Sequence, residues 1–191
     1  MRADARRNHD RILVAAGAAI AQHGAEASLE EIARHAGVGS ATLHRHFPSR
    51  QALLEAVFRD RVETLCAKAS ELAAGLDPGP ALFTWLRAVG THAASNRGLA
   101  ASLMRGAHDS DPTLGATCHT MIVNAGGELL ERARQARAIR PDVAIVDLLK
   151  LVSAISLAAE QEPGGRRDGA DEAGRLLALA LDGVHPSGRP S

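Results

Sequence analysis

Residues 28–47 read SLEEIARHAGVGSATLHRHF. Ser28 and Glu31 stand in S-x-x-E spacing, in which each side chain can bond the other's backbone amide and so start a helix. Leu29, Ile32 and Ala33 give that helix a buried face, and Gly37 closes it. A second short helix is predicted from about Ser40 to His46, stopped by Pro48. Val38, Leu43 and Phe47 can face inward there, and Ser40, Thr42, His44 and Arg45 outward. Two short helices around a glycine turn can be packing and nothing more. A DNA reader needs a first helix that braces across the backbone and a second that enters the major groove. The outward set suits groove entry, because hydroxyls meet bases or phosphates and Arg45 can pair with guanine or phosphate. Ser49 and Arg50 open the next helix, whose first amides can bind a further phosphate.

Upstream, Ile12, Ala15, Ala16, Ala19 and Ile20 recur at helical steps, and Gly24 is placed to end that helix in the left-handed conformation. Downstream, Leu53, Leu54, Val57, Phe58, Val62 and Leu65 keep the helical period in a longer fourth helix. Asp77-Pro78-Gly79-Pro80 is a strong break. Further helices are expected over 81–96, 99–107, 114–138, 142–160 and 171–183. Asp109 to Pro112, Arg140-Pro141 and Pro163-Gly164-Gly165 separate the later ones. The expectation is an all-α chain of about nine helices. A helix-turn-helix unit occupies 1–50 and a helical bundle 51–184, followed by a Pro/Gly/Ser-rich tail over 185–191. Residues 143–157 are apolar almost all round, which needs burial on two sides; one side can meet its own bundle and the other a partner subunit. Leu176, Leu177, Ala180 and Leu181 can complete that interface.

The core has to be aliphatic: 46% of the 191 residues are hydrophobic but only 2% aromatic. Net charge is zero, so bulk charge makes no case for nucleic acid. Residues 1–61 hold nine arginines against seven acidic residues, too small a surplus to argue from. Cys66 and Cys118 lack metal or redox spacing and read as buried thiols. His92, His108, Cys118 and His119 match no ligand pattern, so no metal and no cofactor is expected. There is no P-loop, GxGxxG, HExxH or GxSxG, and an enzyme is not expected. No apolar run of membrane-spanning length and no signal-peptide core occur, which makes the cytoplasm the expected location.

The segment AGVGSATLHRHFPSRQALL, residues 36–54, resembles the signature of the tetracycline-repressor (TetR) family, roughly A-G-V-S-x-G-T-L-Y-x-H-F-x-S-K-E-x-L. Ala36, Gly37, Val38, Thr42, Leu43, His46, Phe47, Ser49 and Leu53 match. Gly39 stands for the usual Ser, His44 for Tyr and Arg50 for Lys. The resemblance implies DNA contacts from Ser28, Ser40, Thr42, His44, Arg45, His46 and Arg50. The run ELLERARQARAIRPDVAIVDLLKLVSAISLAAE resembles the C-terminal part of the SbtR-like group. It implies a homodimer through the last two helices, a palindromic operator, repression and an effector cavity. Candidate cavity residues are Phe58, Val62, Trp85, Val89, His92, Leu103, Met104, Cys118, Met121 and Ile122. Their mainly apolar character points to a small, largely apolar effector.

Overall fold

The computed structural model describes residues 2–105, 114–159, 172, 174–180 and 183. Side chains are described throughout except at 2, 3, 95–105, 157 and 159. Every regular element among them is helical. In order they are α1 (Arg2–His23), a 3-10 turn (Gly24–Glu26), α2 (Leu29–His35), α3 (Ser40–His46) and α4 (Arg50–Gly75). Then follow α5 (Pro78–Arg105), α6 (Leu114–Gln135) and α7 (Ile145–Ala159). Residues 174–180 are also helical. The expected tail over 185–191 lies outside the described residues. No helix among the described residues is long and apolar enough to cross a membrane.

The chain divides by contacts into two units. The first holds residues up to Arg61 with the segment from Ser95 to Cys118, and the second holds Val62–Ala94 with the chain from His119. The first unit packs Ile12, Ala16 and Ile20 of α1 against Ile32, Leu43, Phe47, Leu53 and Val57. Leu53, Leu54 and Val57 put the opening turns of α4 in this core, so the N-terminal unit reaches past residue 50. Local chemistry sets its corners. Ser28 Oγ accepts from the Glu31 amide at 3.3 Å and starts α2. Gly37 ends it at φ +64. There the Gly37 amide bonds the Arg34 carbonyl at 3.1 Å and the Val38 amide bonds the Ala33 carbonyl at 3.0 Å. This is the paired closure of a Schellman turn, which needs a residue that tolerates positive φ. Ser49 caps α4 by accepting from the Ala52 amide at 3.1 Å.

The second unit is built around Trp85 of α5, which is fully buried among Leu65, Leu82, Leu86, Leu129, Leu148 and Val152. Its indole N–H donates to the Leu65 carbonyl at 2.9 Å, so the one polar atom of the ring is satisfied in the dry core. Gly126 lets the ring lie directly against α6, and the close approach is at Gly126 and not at Gly127. Ser156 of α7 donates to the Gly90 carbonyl of α5 at 3.3 Å, which satisfies a buried hydroxyl.

The break at 77–80 stands where expected, and its prolines lie in the first turn of α5. That position has no intrahelical amide bond to lose. The Ala81 amide bonds the Asp77 carbonyl at 2.9 Å. The expected division between 96 and 99 is absent: α5 runs unbroken from Pro78 to Arg105. Gly98 costs a helix only about 1 kcal/mol, and without a proline that is too little to stop one. Helix α7 begins three residues later than expected, at Ile145. Before it, Arg140 and Asp142 pair across the turn at 3.1 and 2.7 Å.

Candidate nucleic-acid interface

Helix α3 is seven residues long, so a handful of positions decides what it presents. Leu43 and Phe47 are buried and anchor it to the first unit. Ser40, His44 and Arg45 are exposed, and Thr42 and His46 are half-buried. Val38, expected inward, is half-buried against the core. Gly39 stands at the N-cap without a side-chain bond. The Thr42 and Leu43 amides meet the Gly39 carbonyl at 2.9 and 3.1 Å. Serine at that place would add a cap, and the core under Leu43 and Phe47 holds the helix without it. The helix has no acidic residue, and His44, Arg45 and His46 fill its last turn. The helix itself therefore carries no negative side chain.

Ser28 is half-buried at the start of α2, with its oxygen used as the cap. His46 lies 6.0 Å, ring to ring, from His9 of α1, and His9 lies 5.0 Å from Phe47. It therefore packs on the α1 side of the helix instead of standing clear like His44. Arg50, expected at a phosphate, is half-buried. Its Nη1 turns inward and donates to the carbonyls of Ala25 and Ala27 at 2.9 and 2.7 Å. Tertiary placement decides this, because both acceptors lie in the connection between α1 and α2. A further residue that the sequence did not single out is Arg61, whose Nη2 donates to the Gly17 carbonyl at 2.7 Å. Burial lowers its guanidinium pKa, with Asp60 opposing. The available signal was an arginine pair eleven residues apart on one helix face.

On α1, Arg7 is paired with Asp4, and Arg11 donates to the Gly37 carbonyl at 3.4 Å. A groove of about 600 Å³ runs between α1 and α2, lined by Val14, Ala18, Gln22, Glu31 and His35 among others. Nothing in the sequence pointed to it.

The structure distributes the candidate effector residues. Phe58 and Cys118 fall in the first unit and Val62, Trp85, Val89, His92, Met121 and Ile122 in the second. Trp85 and Val62 are fully buried, Val89 and Cys118 nearly so, and Phe58, His92, Met121 and Ile122 are half-buried. The side chains of Leu103 and Met104 lie outside the described residues. A hollow of about 60 Å³ in the second unit is lined by Ala69, Ala73, Ala125, Glu128, Leu129 and others, none of them candidates. Among the described residues no group of three His, Cys, Asp or Glu could hold a metal, and His108 lies outside them. Cys66 is half-buried and Cys118 buried, and neither is in a disulfide.

An all-helical chain whose N-terminal unit presents a short polar helix beside a glycine turn is a helix-turn-helix regulator. The family described as "Bacterial regulatory proteins, tetR family" matches residues 12–57. "Transcriptional regulator SbtR-like, C-terminal domain" matches residues 77–186. The TetR transcriptional regulator SCO0520 from Streptomyces coelicolor is 37% identical with a TM-score of 0.80, over 94% of this chain and 99% of that one. The TetR transcription regulatory protein from Mycobacterium vanbaalenii is 33% identical with a TM-score of 0.76, over 97% and 99%. No match was found among curated proteins. The chain belongs to the TetR family of transcriptional regulators, with a C-terminal domain of the SbtR-like type. Regulators of this family bind DNA operators and act as dimers with small-molecule effectors.

Proposed function

We propose that this chain is a cytoplasmic repressor, without enzymatic activity, that holds a palindromic operator as a homodimer and is released by a small, largely apolar effector. The observation that carries the reading is the two-sided character of α3. Leu43 and Phe47 are buried beneath it, while Ser40, His44 and Arg45 stand exposed with Thr42 beside them. These four residues meet bases and phosphates, with Ser28 at the start of the bracing helix α2. His46 and Arg50 serve the same surface from the protein side.

The dimer forms through α7 and the following helix, where Val146, Leu151, Leu176 and Leu179 are large apolar residues left exposed in the single chain. A two-fold axis there sets the recognition helices in successive major grooves, about 34–36 Å apart. The effector lies between α5 and α6 beside Val89, His92, Met121 and Ile122. It acts by binding the DNA-free geometry better than the DNA-bound one.

The test is selection of bound duplexes from a random pool with the full chain, followed by a screen of apolar compounds for release. Enrichment of a two-part palindrome, with release by a neutral or weakly anionic compound, supports the reading. Enrichment of nothing would end it, and an enriched site that no compound releases would leave a regulator without an effector.

A further inference from the structure

Two arginines of α4 end on main-chain oxygens. Arg50 Nη1 reaches the carbonyls of Ala25 and Ala27, and Arg61 Nη2 reaches the carbonyl of Gly17. Eleven residues are about three helical turns, so both side chains leave the same face of α4. Gly17 keeps the surface beside its carbonyl bare, and a Cβ there would stand 4.0 Å from Arg61 Nη2.

The acceptors are informative. Ala25 lies in the 3-10 turn and Ala27 immediately precedes Ser28, the cap of α2. The Arg50 guanidinium therefore closes the segment from 25 to 50, which contains the whole of α2 and α3. The rest of that ring is already stiff, held by the Schellman turn at Gly37 and the Ser49 cap on α4. Arg61 adds a second fixing point toward the middle of α1. Guanidinium groups keep their charge, so both bonds are charge-assisted.

We propose that Arg50 and Arg61 are positioning residues that lock α1, α2, α3 and the first three turns of α4 into one rigid reading head. Arg50 acts on DNA through this lock and not by touching a phosphate. The proposal rests on the reading that α3 enters the major groove. Base readout needs α3 held in register with its partner half-site, whereas binding to any duplex follows the number of phosphates neutralised. A loosened lock thus lowers operator affinity and leaves both random-duplex affinity and its salt dependence in place.

The experiment uses the full chain, an operator selected by the parent from a random pool, and one unrelated duplex. Arg50→Ala, Arg61→Ala and the double variant are measured below their melting transitions, with Arg45→Ala as a contact control. Each single lock variant should lower the operator-to-random affinity ratio on the order of tenfold, the scale of a hydrogen bond to a charged group. The slope of log affinity against log salt should not move. The double variant should lose less than the product of the two, because opening one bolt removes the use of the other. Arg50→Met serves if Arg50→Ala does not fold, because it keeps the apolar stem and removes every donor to the Ala25 and Ala27 carbonyls, so the ratio should again fall at constant slope. A slope reduced by about 1 for Arg50→Ala, with random-duplex binding weakened in parallel, would mean a phosphate contact and overturn the proposal. An unchanged ratio in every folded lock variant would reduce both arginines to stability alone. A parent chain that selects no duplex removes the DNA reading itself, and that shows before any variant is compared.

Discussion

Gly126 of α6 stands so close to Trp85 of α5 that a Cβ on it would lie 2.6 Å from Cζ3 of the indole and 2.7 Å from Ile145 Cδ1. Trp85 cannot retreat, because it is fully buried and tethered through its N–H to the Leu65 carbonyl. Gly126→Ala should therefore destabilise the fold by roughly 1–3 kcal/mol, the cost of overpacking a filled core. The neighbouring Gly127 has nothing within 4 Å of its Cβ position. Gly127→Ala should raise stability by up to about 1 kcal/mol through helix propensity. Urea unfolding of the two variants checks both signs, and equal effects would contradict the packing described.

The turn residues offer a second pair. Gly37 sits at φ +64, where a Cβ would also run into Arg11 Nη2. Gly37→Ala should cost about 1–2 kcal/mol from backbone strain, with the flexible Arg11 tip moving aside. Arg137 adopts φ 55 at the end of α6. There the Arg137 and Ala138 amides repeat the closure seen at Gly37, at 2.9 Å each. Arg137→Gly should stabilise by about 1 kcal/mol by relieving the same strain. Denaturation midpoints at constant slope would report both.

On the DNA side, Arg45 is exposed in the last turn of α3 and Thr42 is half-buried in the middle. If Arg45 pairs with phosphate, Arg45→Ala weakens binding to every duplex and lowers the salt slope by about 1. Thr42→Ala should change the preference among sites more than the general affinity. Parent-like binding of both variants to operator and random duplex would place the groove contact elsewhere.

Assembly has a direct readout. Leu179 is 70% exposed, and Val146 and Leu151 each about a third, a cost that a partner surface removes. Light scattering at micromolar concentration should give about twice the 20.0 kDa chain mass. Leu151→Glu should halve it by placing a charge in the interface. A parent chain that scatters as a monomer would remove the basis for a two-part operator.

Asp142 supplies a pH test. The side-chain hydrogen bond from Arg140, followed by its own backbone bond, holds its pKa below the ordinary carboxylate value. A depressed carboxylate stabilises the fold above its unfolded pKa, and that contribution is lost as pH falls through the folded one. The pair is exposed, so the change in stability should be small. NMR titration should find the Asp142 midpoint below that of a free aspartate, and Arg140→Ala should return it upward.

The amino-acid order alone determined what depends on neighbours within a few residues. Ser28, Gly37, Pro48 and Ser49 mark the ends of α2, α3 and α4 because caps and left-handed turns are chemistry of adjacent backbone groups. The inward Leu43 and Phe47 and outward Ser40, His44 and Arg45 follow from helical spacing. The division expected between 96 and 99 does not form, because the modest helix penalty of Gly98 is outweighed along α5. Tertiary structure alone decided where long side chains end. Arg50 carries the same charge whether it meets a phosphate or the Ala25 and Ala27 carbonyls, and those acceptors are more than twenty residues away in the chain. Trp85 and Val89 likewise have a composition that suits a cavity wall or a filled core. Apolar side chains carry no directional mark, so only the packing of α4, α5, α6 and α7 placed Trp85 against Gly126 and set it inside the core.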